Sequence, residues 1–315
     1  MQIFSKIISF FLLIPSLFGI YANDKNDTEV NYRAKIEQIN FENTIETAIP
    51  QTELYNIISE HFSSDLPDGK TDKKAIIIGY DGCRADAISL INNENSAIKK
   101  LVDNGASLKL SYCGGVNYPD VNTQATSTAP GWCSILTGVW ADKSGITAND
   151  ITKSLEYKTL LTTLVEDEII DSSSFVTSWK GHFSRNKATY LLEKEYCESN
   201  SLNVTYKCCA NDKKTTAAVL ADINSYDCSD FTFAILEGPD HSGHDYGFST
   251  NNPLYKNGFQ KNDAQALEII NAIENRENYE NEDWLIIITS DHGGYQKEHG
   301  GASIQERMTF FVCNK

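Results

Sequence analysis

Six short and largely apolar runs punctuate the chain: AIIIGY (Ala75 to Tyr80), SLKLSY (Ser107 to Tyr112), SFVTSW (Ser174 to Trp179), FTFAILE (Phe231 to Glu237), WLIIIT (Trp284 to Thr289) and MTFFVC (Met308 to Cys313). Runs this short are strand-length, and near-continuous apolarity means burial on both faces. That is the signature of a parallel sheet covered by helices on each side. Helical stretches fall between the runs, at about Asp86 to Val102, Tyr157 to Glu168, Lys213 to Ile223 and Lys261 to Ile273. The alternation predicts an α/β fold, a three-layer sandwich around a mostly parallel central sheet. Reactive side chains are then expected just beyond the carboxyl ends of the strands.

Three run ends carry acids and histidines. GYDGCRAD sets Asp81 just after the first run. EGPDHSGHDYG supplies Asp240, His241, His244 and Asp245. TSDHGGYQKEHGG supplies Asp291, His292 and His299. The chain has six histidines, and four of them lie in these two segments. One aspartate after a strand is ordinarily a cap or turn residue. Three acidic positions, two of them joined by histidines, point instead to a cluster of carboxylate and imidazole ligands, which suits zinc or another divalent transition ion. The surrounding glycines and proline predict loops with sharp turns, and argue against ligands borne on helices.

The stretch TQATSTAPGWCSILTG (Thr123 to Gly138) is rich in hydroxyls but has no acid, histidine or lysine. A nucleophile here needs activation from outside the stretch. Two ions about 4 Å apart supply it, because a bound cation lowers a hydroxyl pKa while its neighbour neutralises the departing oxygen. PGW followed by SILTG predicts a turn running into a short helix, whose N-terminal N–H groups favour phosphate.

Residues 1–22 read as a signal peptide: Lys6, then an apolar stretch from Ile7 to Tyr21, then Ala22 at a cleavage position. The alternative is an uncleaved anchor. Residues 23–74 are polar, with an amphipathic segment around Thr52 to Phe62, and are expected to form an N-terminal arm packed on a main domain at 75–315. Residues 181–211 break the strand–helix rhythm and are expected as an insertion or small cap. Eight cysteines, four of them between Cys197 and Cys228, offer disulfide partners in a secreted or lumenal protein. Sequons at Asn26 and Asn203 fit the same compartment. The net charge of -16 disfavours binding to a nucleic-acid duplex or an anionic membrane. It leaves room for a phosphorylated substrate, since bound cations reverse the local potential.

GYDGCRAD, TSTAPGWCSILTGVWADKSGITAND, EGPDHSGHDYG and TSDHGGYQKEHGG, in that order from Gly79 to Gly301, resemble the alkaline phosphatase superfamily. Within it they look most like a compact form of the type I phosphodiesterase/nucleotide pyrophosphatase branch. The resemblance implies an alkaline phosphatase-like fold and hydrolysis through a covalent threonine, Thr128. It implies that Asp81, Thr128, Asp291 and His292 surround one ion and that Asp240, His244 and His299 hold a second, both expected to be Zn2+. Asn149 takes the position of an asparagine that binds the transferred phosphoryl group, assisted by the N–H of Ala129. His241 and Asp245 fall outside the ligand set, with His241 left to orient a ligand or face substrate. Trp132, Trp140, Tyr206 and Tyr246 are candidate walls for an esterified group, with Trp132 and Tyr246 preferred. Lys143, Lys180 and His182 are candidate phosphate contacts for a monoester.

Two departures matter. His299 follows His292 by a short interval, as in compact members of the branch. The sulfatase branch needs Cys or Ser in a C/S-x-P-x-R pattern, and Thr128 and Trp132 stand at its first and last positions here. The resemblance, through Asn149, implies a small phosphodiester or pyrophosphate as substrate, such as a nucleotide. A phosphomonoesterase and a secreted non-catalytic binding protein on the same fold remain as alternatives.

Overall fold

The computed structural model describes residues 27–91, 94–114 and 124–315. The expected leader and the Asn26 sequon lie outside the described residues. In chain order the elements are α1 (Glu29–Glu37), β1 (Ile49–Pro50), α2 (Glu53–Ser63), β2 (Asp72–Tyr80), α3 (Ala97–Asp103), β3 (Ser107–Tyr112), α4 (Thr128–Thr137), α5 (Ala141–Ser144), α6 (Leu160–Glu166) and β4 (Ser173–Thr177). They continue with α7 (Leu191–Ser199), β5 (Val204–Cys208), α8 (Asp212–Ile223), β6 (Phe231–Leu236), α9 (Gly238–Tyr246), α10 (Pro253–Glu274), β7 (Glu282–Thr289), α11 (Ile304–Arg307) and β8 (Met308–Cys313).

The strands form one sheet in the order β1-β3-β8-β7-β2-β6-β4-β5. Every pairing is parallel except those of β8, which runs antiparallel to β3 and β7. Period-two alternation splits the apolar residues between two cores. Ile76, Ile78, Tyr80, Ala234, Leu236, Ile286 and Ile288 face one way, onto α3, α8 and α10. Ala75, Ile77, Phe231, Phe233, Ile235, Leu285 and Ile287 face the other way, onto α2, α4 and α6. Helices thus cover both faces, as the apolar runs predict.

Register brings the reactive strand ends together. Tyr80 pairs with Leu236, and Gly79 pairs with both Ile235 and Thr289. The next residues along these central strands therefore leave the sheet side by side.

Two segments differ from the sequence reading. Residues 27–74 do more than lie on a domain. β1 joins the sheet beside β3, and Leu54 and Ile58 of α2 are fully buried in one core. Asp27 makes a bidentate pair with the buried guanidinium of Arg84, at 2.8 and 2.9 Å. The segment 181–211 contains the edge strand β5, paired with β4, so it extends the sheet as well as connecting it. An edge strand is covered less than a central one, and VTYKC alternates where the inner strands run apolar. None of the eight cysteines is disulfide-bonded. No described helix is long and apolar enough to cross a membrane.

Candidate metal centre and nucleophile

Asp81 follows β2 directly, at a turn where Gly82 has φ +64°. A Cβ there would lie 2.8 Å from Asp240 Cα, so glycine is needed both for the turn and for the approach of α9. Asp291 and His292 follow β7. Asp240 and His244 ride on α9, one turn apart, which corrects the expectation of a loop. Pro239 occupies the first turn, where its missing N–H costs nothing. The glycines serve packing: a Cβ on Gly243 would meet the Phe248 ring at 2.3 Å, and one on Gly238 would meet Asn262 at 2.6 Å.

The side chains converge. His292 Nε2 lies 3.6 Å from Asp81 Oδ1 and 3.4 Å from Asp291 Oδ2. Asp240 Oδ1 lies 3.5 Å from His244 Nε2 and 3.6 Å from His299 Nε2. Each ring is aimed by its other nitrogen, at Lys297 O (2.8 Å, His244), Gly293 O (2.7 Å, His292) and Thr126 O (3.0 Å, His299). A backbone carbonyl on Nδ1 fixes the tautomer and leaves the Nε2 lone pair facing inward. Two triads result, Asp81–Asp291–His292 and Asp240–His292–His299, each with its ligand atoms within 4.8 Å of one another. His292 belongs to both, whereas the family resemblance places it in the first set alone. His244 stands at the margin, half exposed, reached through Asp240.

The donor set fits divalent cations. Asp240 Oδ1, Asp291 Oδ2 and His292 Nε2 are buried without a hydrogen-bond partner, an expensive condition for three polar atoms facing one space. Burial, with Asp240 beside it, pushes Asp81 well above the usual carboxylate range. Burial, with Asp81 beside it, does the same to Asp291. Burial raises Asp240 to about 7. It lowers His292 well below its usual value and His299 to about 4, so both rings are neutral and free to ligate at neutral pH. Glu237, at the end of β6, is also buried and pushed up, by desolvation and then by Asp81. Its Oε1 accepts the Thr177 hydroxyl at 3.1 Å.

A pH dependence follows. An unfolded aspartate titrates near 4, so between about pH 4 and 7 the metal-free folded protein binds more protons at Asp240 than the unfolded chain does. The lowered His292 and His299 act in the opposite sense up to about pH 6.5, but Asp240 contributes less to metal-free stability as pH rises through the window. Cations that replace the proton should restore it. The gain in Tm from zinc over chelator is expected to be several degrees larger at pH 8 than at pH 5. Thermal melts in both conditions check this, and a gain that does not vary with pH would count against the shared carboxylate site.

Thr128 is the first residue of α4, with Ser127 as N-cap. Its hydroxyl points at Asp81 Oδ1, 3.4 Å away. A Cβ on Gly131 would lie 2.7 Å from Asp291 O, so this glycine lets the first turn of α4 rest on the Asp291 backbone. The other described hydroxyls of the stretch are engaged elsewhere, Ser127 Oγ lying 3.4 Å from His299 Nδ1. Thr126 bonds Gly300 N and Gly301 O, holding the loop that carries His299. Ser134 and Thr137 bond carbonyls one turn back in α4. Asn149 lies in a turn and its Oδ1 accepts the Ala129 N–H at 2.9 Å. The Ala129 N–H expected to face substrate is thus taken by Asn149.

Several expected substrate contacts fall elsewhere. Trp132 is fully buried, with a Cβ at Gly79 lying only 2.3 Å from its ring. It is no wall; its Nε1 donates to Asp81 Oδ2 at 3.0 Å and so orients that carboxylate. His182 is fully buried among Phe175, Trp179 and Tyr190, and burial lowers it to about 3, which removes it as a phosphate contact. Tyr206 packs against Phe175 and Phe183, and Trp140 stacks on Tyr112. Tyr246 is exposed at the end of α9. His241 is exposed and lines a surface cleft of about 620 Å3 with Lys213 and Lys261, outside both triads. Lys143 and Lys180 are exposed. The sequence reading missed Glu237 and the bracing role of Trp132. The only signal for Glu237 was its place as the last residue of an apolar run.

The sandwich is alkaline phosphatase-like. A putative sulfatase from Bacteroides thetaiotaomicron VPI-5482 has a similar structure, with TM-score 0.53 and 11% identity over 77% of this chain and 64% of that one. Murine ectonucleotide pyrophosphatase/phosphodiesterase 5 matches with TM-score 0.45 and 18% identity, over 70% of this chain and 57% of that chain. The chain thus spans little more than half the length of that protein. No curated protein matches the sequence. The profile of the type I phosphodiesterase/nucleotide pyrophosphatase family matches residues 75–300, and the chain belongs to that family.

Proposed function

We propose that the protein hydrolyses phosphodiester or pyrophosphate bonds in small phosphorylated substrates such as nucleotides, with Thr128 as covalent nucleophile and two divalent cations, Zn2+ by preference, as cofactors. The observation that carries this reading is the position of the Thr128 hydroxyl. It sits at a helix N-terminus, directed at Asp81, beside buried donors that have no partner. Asp81, Thr128, Asp291 and His292 would hold one ion, and Asp240, His244 and His299 the other. Bound there, the ions would supply Lewis-acid stabilisation of the charge that develops on phosphorus oxygens and would lower the pKa of the nucleophile.

The chain's own residues do the rest. Thr128 Oγ1 gives up its proton to solvent and forms a bond to phosphorus as the bond to the leaving oxygen breaks, and that oxygen takes up a proton from solvent. The Asn149 carbonyl is occupied by Ala129, which leaves its amide N–H2 as the group that would donate to the nonbridging oxygens. Water then cleaves the threonine ester, freeing Thr128 and releasing a phosphomonoester. Trp132 holds Asp81 in place throughout. The reading of residues 1–22 as a leader, and the exposure of Asn203 at the start of β5, support a secreted or lumenal location.

The test is a parallel assay of an aryl phosphodiester, a nucleotide pyrophosphate and an aryl monoester during zinc titration. Turnover of one of the first two is expected to exceed that of the monoester by roughly tenfold or more in kcat/KM. Monoester preference would favour the phosphatase alternative, and no turnover at full metal loading would favour the binding protein.

A further inference from the structure

We propose that Arg185 is a specificity-determining residue: it receives a second anionic group of the substrate, a phosphate or carboxylate next to the phosphoryl group under attack. This rests on the phosphoryl-transfer reading of the metal centre.

Residues 172–192 contain no acid and carry Lys180, Arg185 and Lys187, in a chain whose net charge is -16. The Arg185 guanidinium lies over the Trp179 ring, 5.1 Å from its centroid, and Nη2 donates to Asn149 O at 3.1 Å. Asn149 in turn holds the Ala129 N–H, one residue from Thr128. Two hydrogen bonds therefore connect Arg185 to the first turn of α4. Trp179 packs against Ala129, Cys133 and Ile146 of the same region.

The platform is built rather than incidental. A Cβ on Gly181 would lie 2.2 Å from the Trp179 ring, so only glycine lets the indole lie across that backbone. The loop carrying Arg185 and the loop carrying Asn149 are tied together. Lys153 N donates to Thr189 O and Thr189 N donates to Gly181 O, both at 2.9 Å. The buried Lys153–Glu193 pair, at 2.7 Å, closes the unit. A staple between the loops is thus already present without Arg185.

Among the described residues no carboxylate pairs with Arg185. Its bond to Asn149 uses one of five N–H donors, and the side chain is exposed. The remaining planar fork matches the oxygens of a phosphate or carboxylate two at a time. Stacking on Trp179 holds the fork in position beforehand, which lowers the entropy lost when an anion binds.

The test compares zinc-loaded full-length wild type, Arg185→Ala and Arg185→Lys on two substrates. One is a nucleotide pyrophosphate, with an ionised phosphate beside the attacked phosphorus. The other is a bis-aryl phosphate, whose ester groups are uncharged. In Arg185→Ala the ratio of kcat/KM, pyrophosphate over bis-aryl, is expected to fall by roughly 10- to 100-fold, mainly through KM, with partial recovery in Arg185→Lys. An unchanged ratio, whether both rates fall together or neither does, overturns the proposal and leaves Arg185 as a loop staple. Wild-type inactivity on both substrates would overturn the phosphoryl-transfer reading and this proposal with it.

Discussion

Thr128→Ala is expected to lower kcat by roughly four orders of magnitude or more while zinc content stays close to wild type. The nucleophile is a single oxygen, and no other hydroxyl of its helix is placed to substitute. Ser134 and Thr137 spend theirs on backbone carbonyls in α4. Alanine suits the first turn of a helix and removes only one polar contact, the bond to Asp81 at 3.4 Å. The three carboxylates and three imidazoles of the two triads and their margin are untouched, so the cations keep their main ligands. Steady-state rates together with metal analysis check both halves. A rate within tenfold of wild type in metal-loaded protein would remove Thr128 from the reaction.

Asp291→Asn is expected to have opposite effects on activity and on metal-free stability. Asp291 is fully buried. Its Oδ1 accepts the Gly82 N–H at 3.1 Å, and asparagine keeps that acceptor. Its Oδ2 has no partner and faces His292 Nε2 at 3.4 Å. Because His292 Nδ1 is bonded to Gly293 O, Nε2 carries a lone pair. An amide N–H2 in place of Oδ2 donates to it and removes one of several crowded buried acids. The metal-free variant should be more stable by about 1–3 kcal/mol, the usual worth of satisfying a buried polar group. Activity should fall by roughly a thousandfold or more as the first ion loses an anionic ligand. Melting curves in chelator and rates in zinc measure the two effects. A variant less stable than wild type in chelator would mean that the carboxylate is favourably placed without a cation.

What was legible in the sequence follows from how each part is built. β2, β6 and β7 are covered on both faces, so AIIIGY, FTFAIL and WLIIIT could hardly be anything but inner strands. The parallel register then brings Asp81, Asp240 and Asp291 together beyond the carboxyl ends of these central strands. β5 was hidden because an edge strand needs only one covered face, and VTYKC alternates. The sequence points to a loop where α9 stands because Gly238 and Gly243 read as turn residues; their lack of a side chain serves close packing against Asn262 and Phe248 instead. Trp132 could not be assigned from its neighbours, since its function lies in a bond to Asp81, 51 residues away in the chain. Arg185 carries no local signal beyond an acid-free stretch; its meaning comes from Trp179 beneath it and Asn149 beside it.

The covalent threonine is the centre of the account, and trapping it is the most direct test. Zinc-loaded enzyme turning over an aryl phosphodiester would be quenched in acid, digested and analysed by peptide mass spectrometry. The peptide spanning Thr128 should carry the mass of the transferred phosphoryl ester, fragmentation should place it on Thr128, and Thr128→Ala should lack it. Steady turnover with no adduct on that peptide, or an adduct on another residue, would contradict the account.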